Sequence, residues 1–281
     1  MDAHHHVWDL AVRDQPWTAG LPALRRSFPL AELEPELRRA GIDATVVVQT
    51  VCVAGETPEL LALAAAAPVV AGVVGWVDLT APDVPDRLAA LRAAPGGARL
   101  VGIRHQVQSE PDPEWLCRPD VRRGLAAVGA AGVVVDLVVV PDQLPAAVRT
   151  AQALADVRFV LDHAGKPRIA AGEREPWAGH VRALAAADNT AVKLSGLVTE
   201  ADHRRWSPDD LRPYAEVVLD AFGCHRTMFG SDWPVCLLAA DYPGVVAVAR
   251  DLVSSFSAAE QAAVLGGTAD LWYALDRTES S

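Results

Sequence analysis

Thr45-Val46-Val47-Val48 and Gly132-Val133-Val134-Val135 run without a polar side chain beyond their first residue, and that continuity decides the fold class. A strand with one face in water alternates polar and apolar residues; a parallel strand covered on both faces is apolar throughout. Outward from these two segments, eight β-prone runs are found at residues 2–8, 44–50, 69–77, 99–105, 133–139, 157–163, 191–196 and 226–232. The intervening segments are long enough for crossover helices. Residues 34–41 close on Gly41 as a C-cap, and residues 58–67 are dominated by alanine and leucine. Helical signals recur at 120–131 and 144–155. Ser207-Pro208-Asp209-Asp210 supplies an N-cap, a proline at the first helical position and acids in the first turn, which starts a helix ahead of the last strand. Residues 241–254 and 258–275 read as helices, with Ser257 capping the second. Strand followed by helix, repeated through the chain, predicts one α/β domain over residues 1–281, closed as a (β/α)8 TIM barrel.

Composition narrows the function. Hydrophobic residues make up 51% of the 281, but in short runs, none near the roughly 18 needed to span a bilayer. No membrane partner is expected. The start of the chain, with Asp2 and three histidines, lacks the basic region and long apolar stretch of a secretory signal, so a cytoplasmic location is the expectation. Cys52, Cys117, Cys224 and Cys236 have no CxxC spacing and read as free thiols. With 25 Lys and Arg against 36 Asp and Glu, the net charge of −11 opposes attraction to a phosphate backbone. No nucleic-acid partner is expected. The sequence is silent on an oligomeric partner.

The chemistry-bearing residues cluster at strand ends, where a barrel carries its active site. His4 and His6 have the two-residue period that puts both imidazoles on one face of a strand, within reach of one metal ion or one substrate oxygen; an exposed polar strand is the alternative. His5 points the other way. Asp232 closes the eighth run, as a catalytic carboxylate or a loop cap. In Asp162-His163-Ala164-Gly165-Lys166-Pro167, Leu161 and His163 share a phase and Asp162 takes the opposite one. His163 would donate to a carbonyl, bind a metal or satisfy loop backbone. Arg104 and His105 make a basic strand end, suited to an oxygen-rich ligand or to an acid beneath a loop. Lys193 and Ser195 share a phase, but Ser195 lacks a nucleophile elbow. Gln49, Lys166 and Lys193, with Trp8, Trp76, Trp206 and Trp233, complete the candidate substrate-binding set. Each tryptophan serves equally well as packing. Glycine-rich phosphate cradles are missing.

His4-His5-His6, Gly102-Ile103-Arg104-His105, Asp162 through Pro167, Lys193-Leu194-Ser195-Gly196-Leu197-Val198-Thr199-Glu200 and Phe229-Gly230-Ser231-Asp232-Trp233-Pro234 resemble, in order, the motifs of the amidohydrolase superfamily. The sequence is most similar to its sugar-lactonase group, that of the L-fuconolactonases and L-rhamnonolactonases. The resemblance implies a distorted barrel and hydrolysis of a cyclic ester such as an aldonolactone. It matches the family's first-strand histidine pair to His4 and His6, its sixth-strand histidine to His163 and its final-strand aspartate to Asp232. Binuclear members add a bridging lysine or glutamate and a fifth-strand histidine, and Val133-Val134-Val135-Asp136-Leu137-Val138 offers no histidine. The implied cofactor is therefore one divalent ion, zinc first, on His4, His6 and Asp232, or none at all. The expected mechanism has Asp232 accept a proton from the water that attacks the lactone carbonyl; without a metal, His163, Arg104 and His105 take more of the oxyanion charge. Competing readings are a hydrolase of a carboxylated lactone or pyrone, a metal-dependent decarboxylase and a noncatalytic sugar-binding barrel.

Overall fold

The structure is a computed structural model, and it describes residues 1–275. Eight parallel strands are hydrogen-bonded in chain order, β1 (Asp2–His5), β2 (Thr45–Val48), β3 (Val70–Gly75), β4 (Leu100–His105), β5 (Val134–Leu137), β6 (Phe159–Leu161), β7 (Thr190–Leu194) and β8 (Thr227–Phe229). Each overlaps one of the eight β-prone runs. The ring closes between β1 and the segment after β8: His5 pairs with Trp233, His6 N donates to Trp233 O at 2.6 Å and Asp232 N donates to His4 O at 2.8 Å. The last strand's end is thereby bonded directly to the histidine-bearing first strand.

Alternation along each strand sorts the core in two. Val47, Val73, Ile103, Val135, Leu161 and Val192 pack outward under the helices, while Val46, Val48, Val74, Val134, Val160, Ala191 and Met228 fill the barrel. Trp272 and Tyr273 from the C-terminal helical segment join this inner cluster. The inner cluster is thus apolar, and Arg104, Asp136, Asp162 and Lys193 stand above it toward the strands' C-terminal ends.

The caps form as read. Gly41 ends the helix Leu30–Ala40 with φ 67°, in the left-handed region that glycine enters without penalty. Ser207 N donates to Asp210 Oδ2 at the start of Pro208–Phe222, and Ser257 and Glu260 form a capping box. Residues 258–275 are not one helix, however: Ala258–Ala262 and Thr268–Trp272 are separated by a π-helical turn at Ala263–Gly267, where Gly266 is extended. The Gly266-Gly267 pair has low helix propensity, so the regular path gives way there. The four cysteines are free thiols. No helix among the described residues is long and apolar enough to cross a membrane.

Candidate active site

His4 and His6 reach one face of β1, and His5 turns away to Thr45 Oγ1 at 3.0 Å. The other two side chains arrive by departures from strand geometry. Alternation on β6 sends Val160 inward and Leu161 outward, so Asp162 faces in and His163 would face out. His163 and Ala164 instead adopt φ 52°, and this left-handed turn swings the His163 ring back toward His4 and Asp232. Asp232 itself has φ 58°. Two chemistry-bearing residues thus hold a conformation that only a few per cent of non-glycine residues adopt.

The result is a convergence of three ring nitrogens on one carboxylate oxygen. His6 Nδ1 donates to the Val48 carbonyl at 2.8 Å; a carbonyl only accepts, so in the neutral ring Nε2 carries the lone pair. That atom lies 3.2 Å from His4 Nε2 and 3.4 Å from Asp232 Oδ1. His4 Nε2 is 3.8 Å and His163 Nε2 3.9 Å from the same oxygen. Asp232 Oδ1 is buried without a hydrogen-bond partner among the described residues, an arrangement that costs free energy until a cation or proton satisfies it. His4, His6 and Asp232 fit a divalent ion: donors at about 2.0 to 2.1 Å around a tetrahedral zinc stand roughly 3.3 Å apart, close to these separations. Burial pushes the His163 imidazole down to about 4 and also lowers His4, against their carboxylate neighbours, so both rings are neutral near pH 7. Burial works upward on Asp232, but His163, His6 and His4 outweigh it and hold the carboxyl below the ordinary range.

Beneath this triad is a buried charged layer. Arg104 Nη1 contacts His4 Nε2 at 3.2 Å and donates to Asp162 Oδ2 at 3.0 Å, while Nη2 donates to Gln49 O and Oε1 at 2.6 and 3.1 Å. Lys193 Nζ pairs with Asp136 and, at 3.0 Å, with Asp162 Oδ1, and lies 3.1 Å from His4 Nδ1. Tyr273 Oη donates to Asp136. Arg104 and Lys193 balance Asp136 and Asp162, as burial at this depth requires. Burial drives the Asp136 carboxyl up to about 6 against the pull of Lys193. Burial acts the same way on Asp162, but Lys193, His4 and Arg104 prevail and hold it well below its ordinary value.

Above the triad opens a cavity of about 250 Å³, lined by His6, Trp17, Thr50, Arg104, Gln106, Gln108, Ser109, His163, Lys166, Glu200, His203 and Asp232 among others. Of the residues singled out in the sequence, the structure therefore brings His4, His6, Arg104, His163, Lys166 and Asp232 together. Gln49 and Lys193 are fully buried in the charged layer rather than on the cavity wall. His105 is not on that wall either. Trp76 Nε1 donates to its Nδ1 at 3.1 Å, its Nε2 donates to Glu110 Oε1 at 2.8 Å, and its ring stacks on Trp115, so it ties down the loop that carries Gln106, Gln108 and Ser109.

The four tryptophans also stand elsewhere, each because its indole is used in packing or its N–H finds protein. Trp8 donates to Arg26 O and packs edge-on to Phe28, Trp76 donates to His105, Trp206 donates to Ala239 O, and Trp233 is buried edge-on against Phe28. Arg205 is exposed in a pair with Asp202. Asp162 and Asp136 had no site role in the sequence, although they share the inward phase of Val160 and Val134. Trp17 stands in a 3-10 turn, Glu200 ends a four-residue helix and His203 lies in a turn, segments too short for periodicity to carry a signal.

A barrel with a histidine pair on its first strand, a histidine after its sixth and an aspartate after its eighth defines the class. The chain belongs to the amidohydrolase family, whose profile matches residues 1–275. It is 43% identical to an L-fucono-1,5-lactonase of Burkholderia multivorans over 98% of this chain and 96% of the other. An L-fucono-1,5-lactonase of Burkholderia ambifaria is 40% identical over 99% and 96%. A crystal structure of an amidohydrolase from Burkholderia multivorans with bound zinc superposes with a TM-score of 0.91 at 39% identity, covering 98% of each chain.

Proposed function

We propose that this protein hydrolyses a sugar-derived lactone to the open hydroxyacid, by carboxylate-assisted attack of water. The observation that carries the reading is Asp232 Oδ1, buried and unpartnered at the floor of a cavity and ringed by His4, His6 and His163. The two L-fucono-1,5-lactonases, matched over nearly their whole length, support the substrate class.

Asp232 accepts a proton from water as the water oxygen bonds to the lactone carbonyl carbon. The ring C–O bond then breaks, and the departing alkoxide recovers that proton from Asp232. Ser195 Oγ lies 2.9 Å from His163 Nδ1; with the hydroxyl donating there, His163 Nε2–H faces the cavity as a neutral donor to the developing oxyanion. Arg104, its terminal nitrogens held by Asp162 and Gln49, acts through its fixed charge beneath the carbonyl. A divalent ion, when bound by His4, His6 and Asp232, supplies Lewis acidity to carbonyl and water alike.

The cavity favours a neutral ring. Its two permanent cations are already paired, Arg104 with Asp162 and Lys166 with Glu200, whereas a dicarboxylate calls for unpaired guanidinium groups. The test is kcat/KM on matched panels of aldonolactones and carboxylated pyrones, corrected for spontaneous opening. A preference of about tenfold or more for a dicarboxylated substrate, roughly 1.4 kcal/mol, overturns the choice.

A further inference from the structure

Glu200 and Lys166 form an ion pair at 3.2 Å on the wall of the cavity that holds Asp232. The same two residues, with Gln108 and Ser109, also line an adjoining outer hollow that contains Asp142 and Arg168. The pair therefore stands at the junction between the site and the approach to it. Both side chains are 24% exposed, which leaves them open to a ligand but only partly hydrated.

Their mounting ties them to the catalytic groups. Lys166 follows His163-Ala164-Gly165 and is itself left-handed at φ 53°. Glu200 ends the short helix Leu197–Glu200, which begins just after Ser195 and Gly196. The two segments that hold the His163 ring thus also carry the ion pair.

The chemistry of the pair suits hydroxyl groups. An ammonium has three donors and a carboxylate about four acceptor positions, and their mutual contact uses one of each here. A vicinal diol can give a hydrogen to the carboxylate and accept one from the ammonium, and its orientation decides whether both bonds form. The nearby Gln106, Gln108, Ser109 and His203 add polar contacts without a permanent charge. We infer that Glu200, acting with Lys166, reads the hydroxyl configuration of the substrate ring and so sets which polyhydroxylated lactone is turned over. This rests on the lactonase reading above.

The experiment compares wild type, Glu200→Gln and Lys166→Met on aldonolactones that differ in the configuration of a single hydroxyl. For wild type, kcat/KM separates the preferred lactone from one of its epimers. In both variants that ratio falls by about tenfold or more, the range for losing a hydrogen bond to a charged group. The change is expected mainly in KM, with circular dichroism unaltered. Equal losses on every epimer, an unchanged ratio, or a wild type that does not discriminate would each overturn the inference while leaving lactone hydrolysis intact. A wild type that opens none of these lactones removes the lactonase reading and this inference with it.

Discussion

Gly196, with φ 66°, lies against His163 so closely that a Cβ there would stand 2.8 Å from Nδ1 and 3.0 Å from Cβ of the imidazole residue. The residue after Ser195 thus forms part of the seat of the His163 ring. Gly196→Ala adds a left-handed alanine, costing about 1 to 2 kcal/mol, and displaces His163 from Ser195. A lowered melting temperature together with at least a tenfold loss of kcat is the expected result; unchanged kcat would show that the ring's position is not needed.

Asp232→Asn keeps the size of the side chain but cannot accept the proton. Lactone hydrolysis should fall by at least about a hundredfold, the lower range of general-base catalysis, with circular dichroism unchanged. Metal content is measured in parallel, because the same carboxylate belongs to the candidate ligand set. Near-wild-type turnover would transfer the base role to His163.

Replacing both His4 and His6 by alanine removes two of the three converging donor atoms. Tightly held zinc should be lost, read by elemental analysis after dialysis against a chelator. Wild-type protein that is metal-free and turns over at full speed would reject metal dependence without rejecting lactonase activity.

Lys193→Met leaves Asp136 and Asp162 buried without their shared ammonium. Breaking a buried pair in this way typically costs about 3 to 5 kcal/mol, visible as a shifted denaturant midpoint. Arg205→Ala, which breaks an exposed pair with Asp202, serves as the control and should move the midpoint within the error of the measurement.

Much of this was legible in the residues themselves. The apolar continuity of Thr45-Val46-Val47-Val48 specifies a strand covered on both faces wherever the chain folds, and the spacing of His4 and His6 puts two imidazoles on one face by strand geometry alone. The caps at Gly41 and Ser257 are equally local, since each satisfies backbone groups within a few residues. For the same reason the eight strands and most helices were placed within a few positions.

Other features depend on contacts that no local pattern encodes. Periodicity would have turned His163 away from Asp232, and the left-handed turn at residues 163 and 164 reverses that only because Gly196 leaves room for the ring. His105 looks like a site residue beside Arg104, yet Trp76, Glu110 and Trp115 hold it outside the cavity. Asp136, Asp162, Lys193 and Tyr273 are far apart along the chain, and their charges become mutual partners only once the closed barrel excludes water and leaves each no other way to be satisfied. The sequence by itself therefore determined the strands, the caps and the kinds of group at the strand ends, because backbone geometry acts over a few residues. Tertiary structure alone decided which of those groups meet, because burial and closure act between residues that are neighbours only in space.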